Sequence, residues 1–467
     1  MTIVAIVLVI SILCGIVLTA NMLTKHKQSS NRNVAKIPST TTTIGNMTNT
    51  SSLATKVRPK ANETYNASSQ KDKIQHIIVI IQENHAFDNY FGTYPGAIGI
   101  PANECMPTNS LNLSQGCVKP FLVTDPTFPS NYSNSTISMP NGFCHSYPCA
   151  EISWDQGKMD GFIKASNTPL VMGYYNNQTI PYYWNLARNY TLDDMFFQSV
   201  LGYSLPNHWY AIAGRAPIES ILYINQTELE STFYLRDAAN ITTIADLMER
   251  NGSISWKYYD FPFYVSYNVS TVKYNLWNPF ASQPRNYLPE NASHFVMRTQ
   301  ILTDIADRNL PNVSYVIPST EISEHPPYNI TYGMYWTSSV IDAVMNSSYW
   351  NHTVIIVTWD DYGGEFDTIS PPQVDHWGYG PRVPALVISP YSRSGYIDNT
   401  TYAFESILKL IEWRYNIPPL TKRDTIANNI VDSLNLNQTP ARPHLIPLTN
   451  EQRKLIAPYL NETPTED

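Results

Sequence analysis

The chain has 467 residues, 43% of them hydrophobic and 15% charged, with a formal net charge of −8 and a pI near 5.7. That is ample for a large core, in one big α/β domain or two smaller ones. The acidic balance argues against a nucleic-acid partner, because such surfaces need clustered cations to displace phosphate counterions.

Residues 3–22 are free of charge and mostly apolar, and roughly 20 such residues suffice to span a bilayer. The expectation over 1–23 is a membrane anchor or signal segment. The poor small-x-small site at Leu18-Thr19-Ala20 favours the anchor. Lys25, Lys27 and Arg32 follow the stretch and nothing basic precedes it, which by charge alone would hold the body on the cytoplasmic side. Two features overrule that asymmetry. One is sequon density, roughly twenty Asn-x-Ser/Thr sites including Asn62, Asn112, Asn134, Asn240, Asn329 and Asn399, which points to an exported surface carrying N-linked glycans. The other is cysteine usage. With Cys14 inside the apolar stretch, Cys105, Cys117, Cys144 and Cys149 remain. They allow three pairings, of which proximity favours Cys105–Cys117 and Cys144–Cys149. Their spacing fits none of the usual zinc patterns. The expected location is extracellular, membrane-anchored or secreted. Low charge with abundant Asn, Ser, Thr and Tyr also fits an acidic milieu.

Residues 24–72 are rich in Ser, Thr, Asn and Lys and read as a disordered stalk. A catalytic domain is expected over 73–440 and a tail over 441–467. It opens with His76-Ile77-Ile78-Val79-Ile80-Ile81-Gln82-Glu83-Asn84, too continuously apolar for a half-exposed strand and suited to a central one. Residues 95–154 read as a Pro- and Cys-rich insertion stapled over the sheet edge. The segments 180–192 and 207–213 look helical or turn-rich, and 242–250 is a capped helix ending before Asn251-Gly252. Strands are expected at 253–259, 314–318, 353–361 and 385–389, and helices at 295–308, 332–345 and 403–415. This alternation indicates a mostly parallel sheet covered on both faces. The segment after Pro418 is poor in core residues.

Three motifs carry chemistry. Glu83-Asn84-His85-Ala86-Phe87-Asp88-Asn89-Tyr90-Phe91-Gly92 places a carboxylate directly after buried aliphatics, where it needs a partner, and a metal supplies one. The alternative is a strand end with its aromatics in the core. Trp359-Asp360-Asp361-Tyr362-Gly363-Gly364-Glu365-Phe366-Asp367 ends a second buried strand. Asp before Gly-Gly is also ordinary turn chemistry, but at a strand's last residue both carboxylates can turn toward one ion. In Gly202-Tyr203-Ser204-Leu205-Pro206-Asn207-His208, Ser204 is either a helix N-cap or a metal-activated nucleophile. The Gly-x-Ser-x-Gly elbow of Ser–His–Asp hydrolases is absent. His325, in Glu324-His325-Pro326-Pro327, and His145, beside Cys144, are candidate phosphate-oxygen donors or general acids. His208 and His376 read as structural.

With Gly157-Lys158-Met159-Asp160-Gly161-Phe162 and Gly378-Tyr379-Gly380-Pro381-Arg382-Val383-Pro384 through Ser389-Pro390-Tyr391, these motifs resemble a bacterial and archaeal phosphoesterase family. That family contains the phosphatidylcholine-type phospholipases C and a respiratory-burst-inhibiting acid phosphatase. The matches run in family order over about residues 74–415. The resemblance implies an alkaline-phosphatase-like three-layer α/β/α sandwich with a mostly parallel sheet. It also implies metal-dependent hydrolysis of phosphate mono- or diesters, phospholipids among them, through a phosphoserine intermediate. It assigns Glu83, Asn84, Asp360 and Asp361 to a divalent metal ion, Ser204 as nucleophile, and His145 and His325 to the phosphoryl group and the leaving oxygen. Many phospholipase members carry a His after the last Asp of the second acidic motif, where this chain has Thr368. Two other classes compete: a non-catalytic, glycosylated surface protein that kept the fold, and a Ser–His–Asp esterase indifferent to chelation.

Overall fold

Two seven-residue strands, His76–Gln82 (β1) with five consecutive β-branched residues and Thr353–Trp359 with six, lie side by side at the centre of the sheet. The computed structural model describes residues 70–130, 142–222, 232–260, 277–288 and 291–461. The expected anchor and stalk, and the sequons at Asn62 and Asn134, fall outside the described residues. The other main strands are Thr191–Asp193 (β2), Trp256–Asp260 (β3), Phe295–Met297 (β4), Val313–Val316 (β5), Ala385–Ile388 and Tyr396–Asp398. Naming Thr353–Trp359 β6, Ala385–Ile388 β7 and Tyr396–Asp398 β8, the eight-stranded order is β8-β2-β7-β6-β1-β5-β3-β4. Only β7 of these eight runs against the rest.

The central strands are buried along their length, from Ile77 through Gln82 in β1 and throughout β5 and β6. Such burial requires helices on both faces. One group packs Ile330–Met345 with Pro181–Asn189, Gln300–Ala306 and Asn450–Leu460; another packs Ser204–Ala213 with Phe404–Tyr415 and Ile244–Asn251. The fold is a three-layer α/β/α sandwich with a mostly parallel sheet. Because β1, β5 and β6 are parallel and in register, Gln82 opposite Trp359 and Ile80 opposite Val316, their carboxyl ends open on one edge, where ligand crevices form.

Both expected disulfides, Cys105–Cys117 and Cys144–Cys149, are present. The capped helix is found at Ile244–Asn251, where Thr243 and Asp246 form a reciprocal capping box. Elsewhere the structure redraws the expectations. The helix expected over 295–308 splits into β4 and the helix Gln300–Ala306, because pairing with Tyr258–Asp260 claims the first three residues, too few to separate a period of 2 from one of 3.6. The segment 180–192 is helical only over Pro181–Asn189 and ends as β2. The segment after Pro418 contributes buried Ile430, Leu434 and Ile456. No helix among the described residues is long and apolar enough to cross a membrane.

Some buried carboxyls have no cationic partner of their own. Asp193 and Asp398 end adjacent parallel strands in register and are bridged by Ser433, whose Oγ lies 3.1 Å from Asp193 Oδ1 and 2.9 Å from Asp398 Oδ2. Tyr402 donates to Asp398 Oδ2 at 3.1 Å. The Ser433 and Tyr402 hydroxyls, themselves 3.4 Å apart, carry two hydrogens for these three carboxylate contacts, and a proton on Asp193 would supply the third. Burial, and then repulsion from Asp398, pushes the Asp193 pKa well above the usual range. Glu412 is pushed up to about 9 by burial and by its hydrogen bond to Asp424. A carboxyl whose folded pKa is raised contributes its full stability below the unfolded value of about 3.9 to 4.3 and loses it as pH rises through the folded value. The expected outcome is a melting temperature that falls between about pH 5 and pH 8. The fall should be shallower in Asp193→Asn, as read by scanning calorimetry; an equal slope in both proteins contradicts the shared proton.

Candidate active site

The register of β1 and β6 carries past the last paired residues. The Asp360 N–H donates to Gln82 O at 2.9 Å, and the Asn84 N–H donates to Asp360 Oδ1 at 2.9 Å. Asn84 has a φ of 60°, a left-handed conformation that Asn tolerates better than most residues. Gly363 follows at φ +60°, where a Cβ would sit 2.4 Å from Asn84 O, and a Cβ on Gly364 would meet Phe143 Cβ at 2.6 Å. The two glycines let the second acidic turn close onto Asn84 and onto the His145 loop.

Beneath this junction, Glu83, His208 and Asp360 each offer one ligand atom, all within 4.8 Å of one another. They are 0%, 1% and 0% exposed. His208 Nε2 lies 2.9 Å from Glu83 Oε1. Glu83 Oε2 and Asp360 Oδ2 are buried without a hydrogen-bond partner. Burial, then repulsion from Asp360, drives the pKa of both Glu83 and Asp361 well above the usual range. Among the described residues no lysine or arginine pairs with Glu83, Asp360 or Asp361; His208 Nε2 approaches Glu83 and Asp360 at 2.9 and 3.9 Å, but burial pushes its own pKa down to about 4. Two orphaned buried oxygens amid clustered carboxylates fit a divalent cation with hard-oxygen ligands. Asp361 is outside the trio: its Oδ1 accepts the Gly363 N–H at 2.7 Å and its Oδ2 faces Ser204.

Ser204, 7% exposed, is the first residue of its helix, and the N-cap is Tyr203. The Ser204 hydroxyl does not cap the helix; Oγ lies 3.3 Å from Asp361 Oδ2 and 3.4 Å from Asn84 Oδ1. His145 and His325 are half-buried. His145 Nδ1 donates to Phe143 O at 2.7 Å, which leaves Nε2 facing Asn84 Nδ2 at 3.2 Å. His325 Nδ1 donates to Pro326 O, so its Nε2 is likewise the titrating atom. Burial pushes the His145 pKa down to about 4 and lowers that of His325. Each histidine feels the field of Asp360. The site is therefore layered, with sealed carboxylates below and a hydroxyl and two imidazoles on the accessible side.

Sequence reasoning missed His208, although its spacing of four from Ser204 puts both on one helix face. It also left unassigned the groups that brace the site. Arg382, fully buried, donates to Asp88 and Asp367 at 3.1 and 3.0 Å, tying the two acidic motifs together. Thr368 donates its N–H and hydroxyl to Asp88. Phe162, from the Gly157–Phe162 motif, packs edge-on against Tyr362, and His376 is exposed.

Residues 74–418 match the family model described as the Phosphoesterase family. Phospholipase C B of Mycobacterium tuberculosis is 28% identical over 431 residues, covering 80% of each chain. Non-hemolytic phospholipase C of Pseudomonas aeruginosa is 26% identical, covering 74% of this chain and 54% of its own. Non-specific phospholipase C3 of Arabidopsis thaliana is 22% identical, covering 80% and 75%. Among solved structures, an alkaline phosphatase superfamily protein from Vibrio parahaemolyticus superposes with a TM-score of 0.33 at 15% identity, over 55% of this chain and 66% of its own.

The closure over Asn84 gives a direct test. Gly363→Ala should open the junction, and at a free metal concentration well below saturation the purified variant should hold at least about tenfold less divalent metal than the unaltered protein, since errors in the shell around metal ligands lower affinity by about 10- to 100-fold. Equal metal content by elemental analysis contradicts the role given to this glycine.

Proposed function

The chain belongs to the Phosphoesterase family, and from that premise we propose that it hydrolyses phosphate esters at Ser204, with a divalent cation held by Glu83, Asn84 and Asp360, with Asp361 serving Ser204 as base rather than as the ligand that the family resemblance makes it, and with His208 orienting Glu83. It is a hydrolase of phosphoric ester bonds. The observation that carries the detailed reading is the Ser204 hydroxyl, set 3.3 Å from Asp361 and 3.4 Å from Asn84, next to orphaned carboxylate oxygens. When bound, the cation supplies charge neutralisation, holds phosphate oxygens and lowers the pKa of the serine hydroxyl.

The chain's own groups account for the proton traffic. Ser204 Oγ attacks phosphorus in line with the leaving oxygen, and its proton passes to Asp361 Oδ2. As the new P–O bond forms, the bond to the alcohol breaks. The alcohol oxygen takes a proton from Nε2 of His145 or His325, each of which acquires that proton as the anionic phosphate arrives. Water then displaces phosphate from Ser204, giving one proton back to the imidazole, while Asp361 returns its proton to Oγ.

Aromatic rings packed against both imidazoles support a phospholipid-type diester over a bare monoester. The Tyr203 ring meets His145 edge-on at 5.4 Å, Trp277 lies 5.9 Å from His325, and Tyr147 meets Trp377 at 6.0 Å. Apolar and aromatic walls suit a lipid alcohol or a quaternary ammonium head group. Relatives named phospholipase C support the same choice. Export to an extracellular face, tethered or released, is supported by the two disulfides and by the sequon density. The N-terminal apolar stretch as tether and residues 24–72 as stalk complete the proposal. Asn399 is a poor glycan acceptor, because its amide donates to both oxygens of Asp194.

Assays of the purified protein on p-nitrophenyl phosphate and p-nitrophenylphosphorylcholine, with and without chelator, test this reading. The expected result is chelator-sensitive turnover of the choline diester, with kcat reduced about a thousandfold or more in Ser204→Ala. Turnover of the monoester alone would shift the substrate to that of an acid phosphatase. Turnover that survives both chelation and Ser204→Ala contradicts the mechanism, and metal-loaded protein inert toward both esters favours a silent fold.

A further inference from the structure

We propose that Glu324 is a positioning residue that sets the placement of His325, an inference that rests on the function proposed above. The hydrogen bonds of His325 itself are local, and beyond them its ring has Trp277 beside it at 5.9 Å. Its N–H donates to Ser323 Oγ at 3.2 Å, Nδ1 donates to Pro326 O, and its carbonyl accepts from Tyr328 N at 2.9 Å. These bonds shape the turn after β5 but do not fix where that turn sits against the cation cradle. That task falls to the residue before it.

The Glu324 side chain is fully buried and gathers three donors from three separate parts of the fold. Tyr90 OH reaches Oε2 at 2.6 Å from the helix that follows β1. Tyr183 OH reaches Oε1 at 2.5 Å from the helix Pro181–Asn189. Trp359 Nε1 reaches Oε2 at 3.1 Å from the last residue of β6, directly before Asp360. The backbone is held as well. Glu324 O lies 3.2 Å from His85 Nε2, and the His85 ring is turned by Glu365 at 3.0 Å. Glu83 N–H donates to Ser323 O at 2.9 Å.

Two details show that the position is specified. Glu324 has a φ of 74°, a left-handed conformation that an L-residue with a side chain keeps only when its surroundings hold it. Gly333, on the helix Ile330–Met345, lies against it so closely that a Cβ there would stand 2.3 Å from Glu324 Cγ. The carboxylate therefore works as a hub: it locks the turn bearing His325 to the strand end bearing Asp360 and to the segment that follows Asn84.

The experiment is a double-mutant cycle on the intact protein, using whichever chromogenic ester the unaltered enzyme turns over. It compares Glu324→Gln, His325→Ala and the double variant, with kcat and KM separated and metal content measured in each. The inference expects Glu324→Gln to lower kcat about tenfold or more with KM within about threefold and metal content unchanged. The double variant should be no slower than His325→Ala alone, within about twofold. The inference is overturned if the two losses multiply, if Glu324→Gln leaves kcat intact, or if its loss follows lost metal. Should Glu324→Gln not fold, Tyr183→Phe, which removes one of the three donors, takes its place in the same cycle under the same criteria. A fully active His325→Ala would sink the assignment of His325 as well, whereas a crippled His325→Ala with multiplying losses sinks only the role of Glu324.

Discussion

The site depends on how the mutual repulsion of Glu83, Asp360 and Asp361 is relieved. Two like charges 4 Å apart repel by about 4 kcal/mol at an effective dielectric of about 20, and these carboxylates are fully buried. The fold nevertheless drives them together, because the parallel register of β1 and β6 leaves no freedom at the strand ends. With His208 driven toward its neutral form, a bound cation is the partner that the arrangement calls for. The same convergence of charge that a simple core would avoid makes the edge of the sheet a candidate cation cradle.

Under the proposed function, the protein separates the groups that hold the cation from those that react. The groups assigned to the cation are at most 2% exposed, whereas Ser204 is 7% exposed and His145 and His325 are half-buried. Both imidazoles are pinned through Nδ1 to backbone carbonyls, so each presents a defined Nε2. Behind them stand buried polar hubs, Arg382 between Asp88 and Asp367 and Glu324 among Tyr90, Tyr183 and Trp359. Buried networks of this kind rigidify when all members are satisfied, and a site that orients groups within tenths of an ångström needs that stiffness.

Much of this was legible in the sequence, and the reasons for the rest are physical. The β1 and β6 runs stood out because five and six contiguous β-branched residues have few other uses, and the acidic residues directly after them announced the crevice. The local capping box at Thr243 and the proximity of the cysteines were legible for the same reason: the partners are close in the chain. Phe295–Met297 was not, since three residues cannot distinguish strand from helix periodicity. His208 lay hidden in an apolar helix, and only its four-residue spacing from Ser204 hinted at a shared face. The roles of Glu324 and Arg382 depend on partners scattered over a hundred residues and more, which no local pattern encodes.

The central claim is that the buried carboxylates hold a divalent cation. Elemental analysis of the purified protein, with Glu83→Gln/Asp360→Asn beside it, tests that claim most directly. The account predicts about one divalent ion per chain in the unaltered protein and essentially none in the double variant. A well-folded, active protein with no bound metal, or a double variant that keeps the full complement, would contradict it.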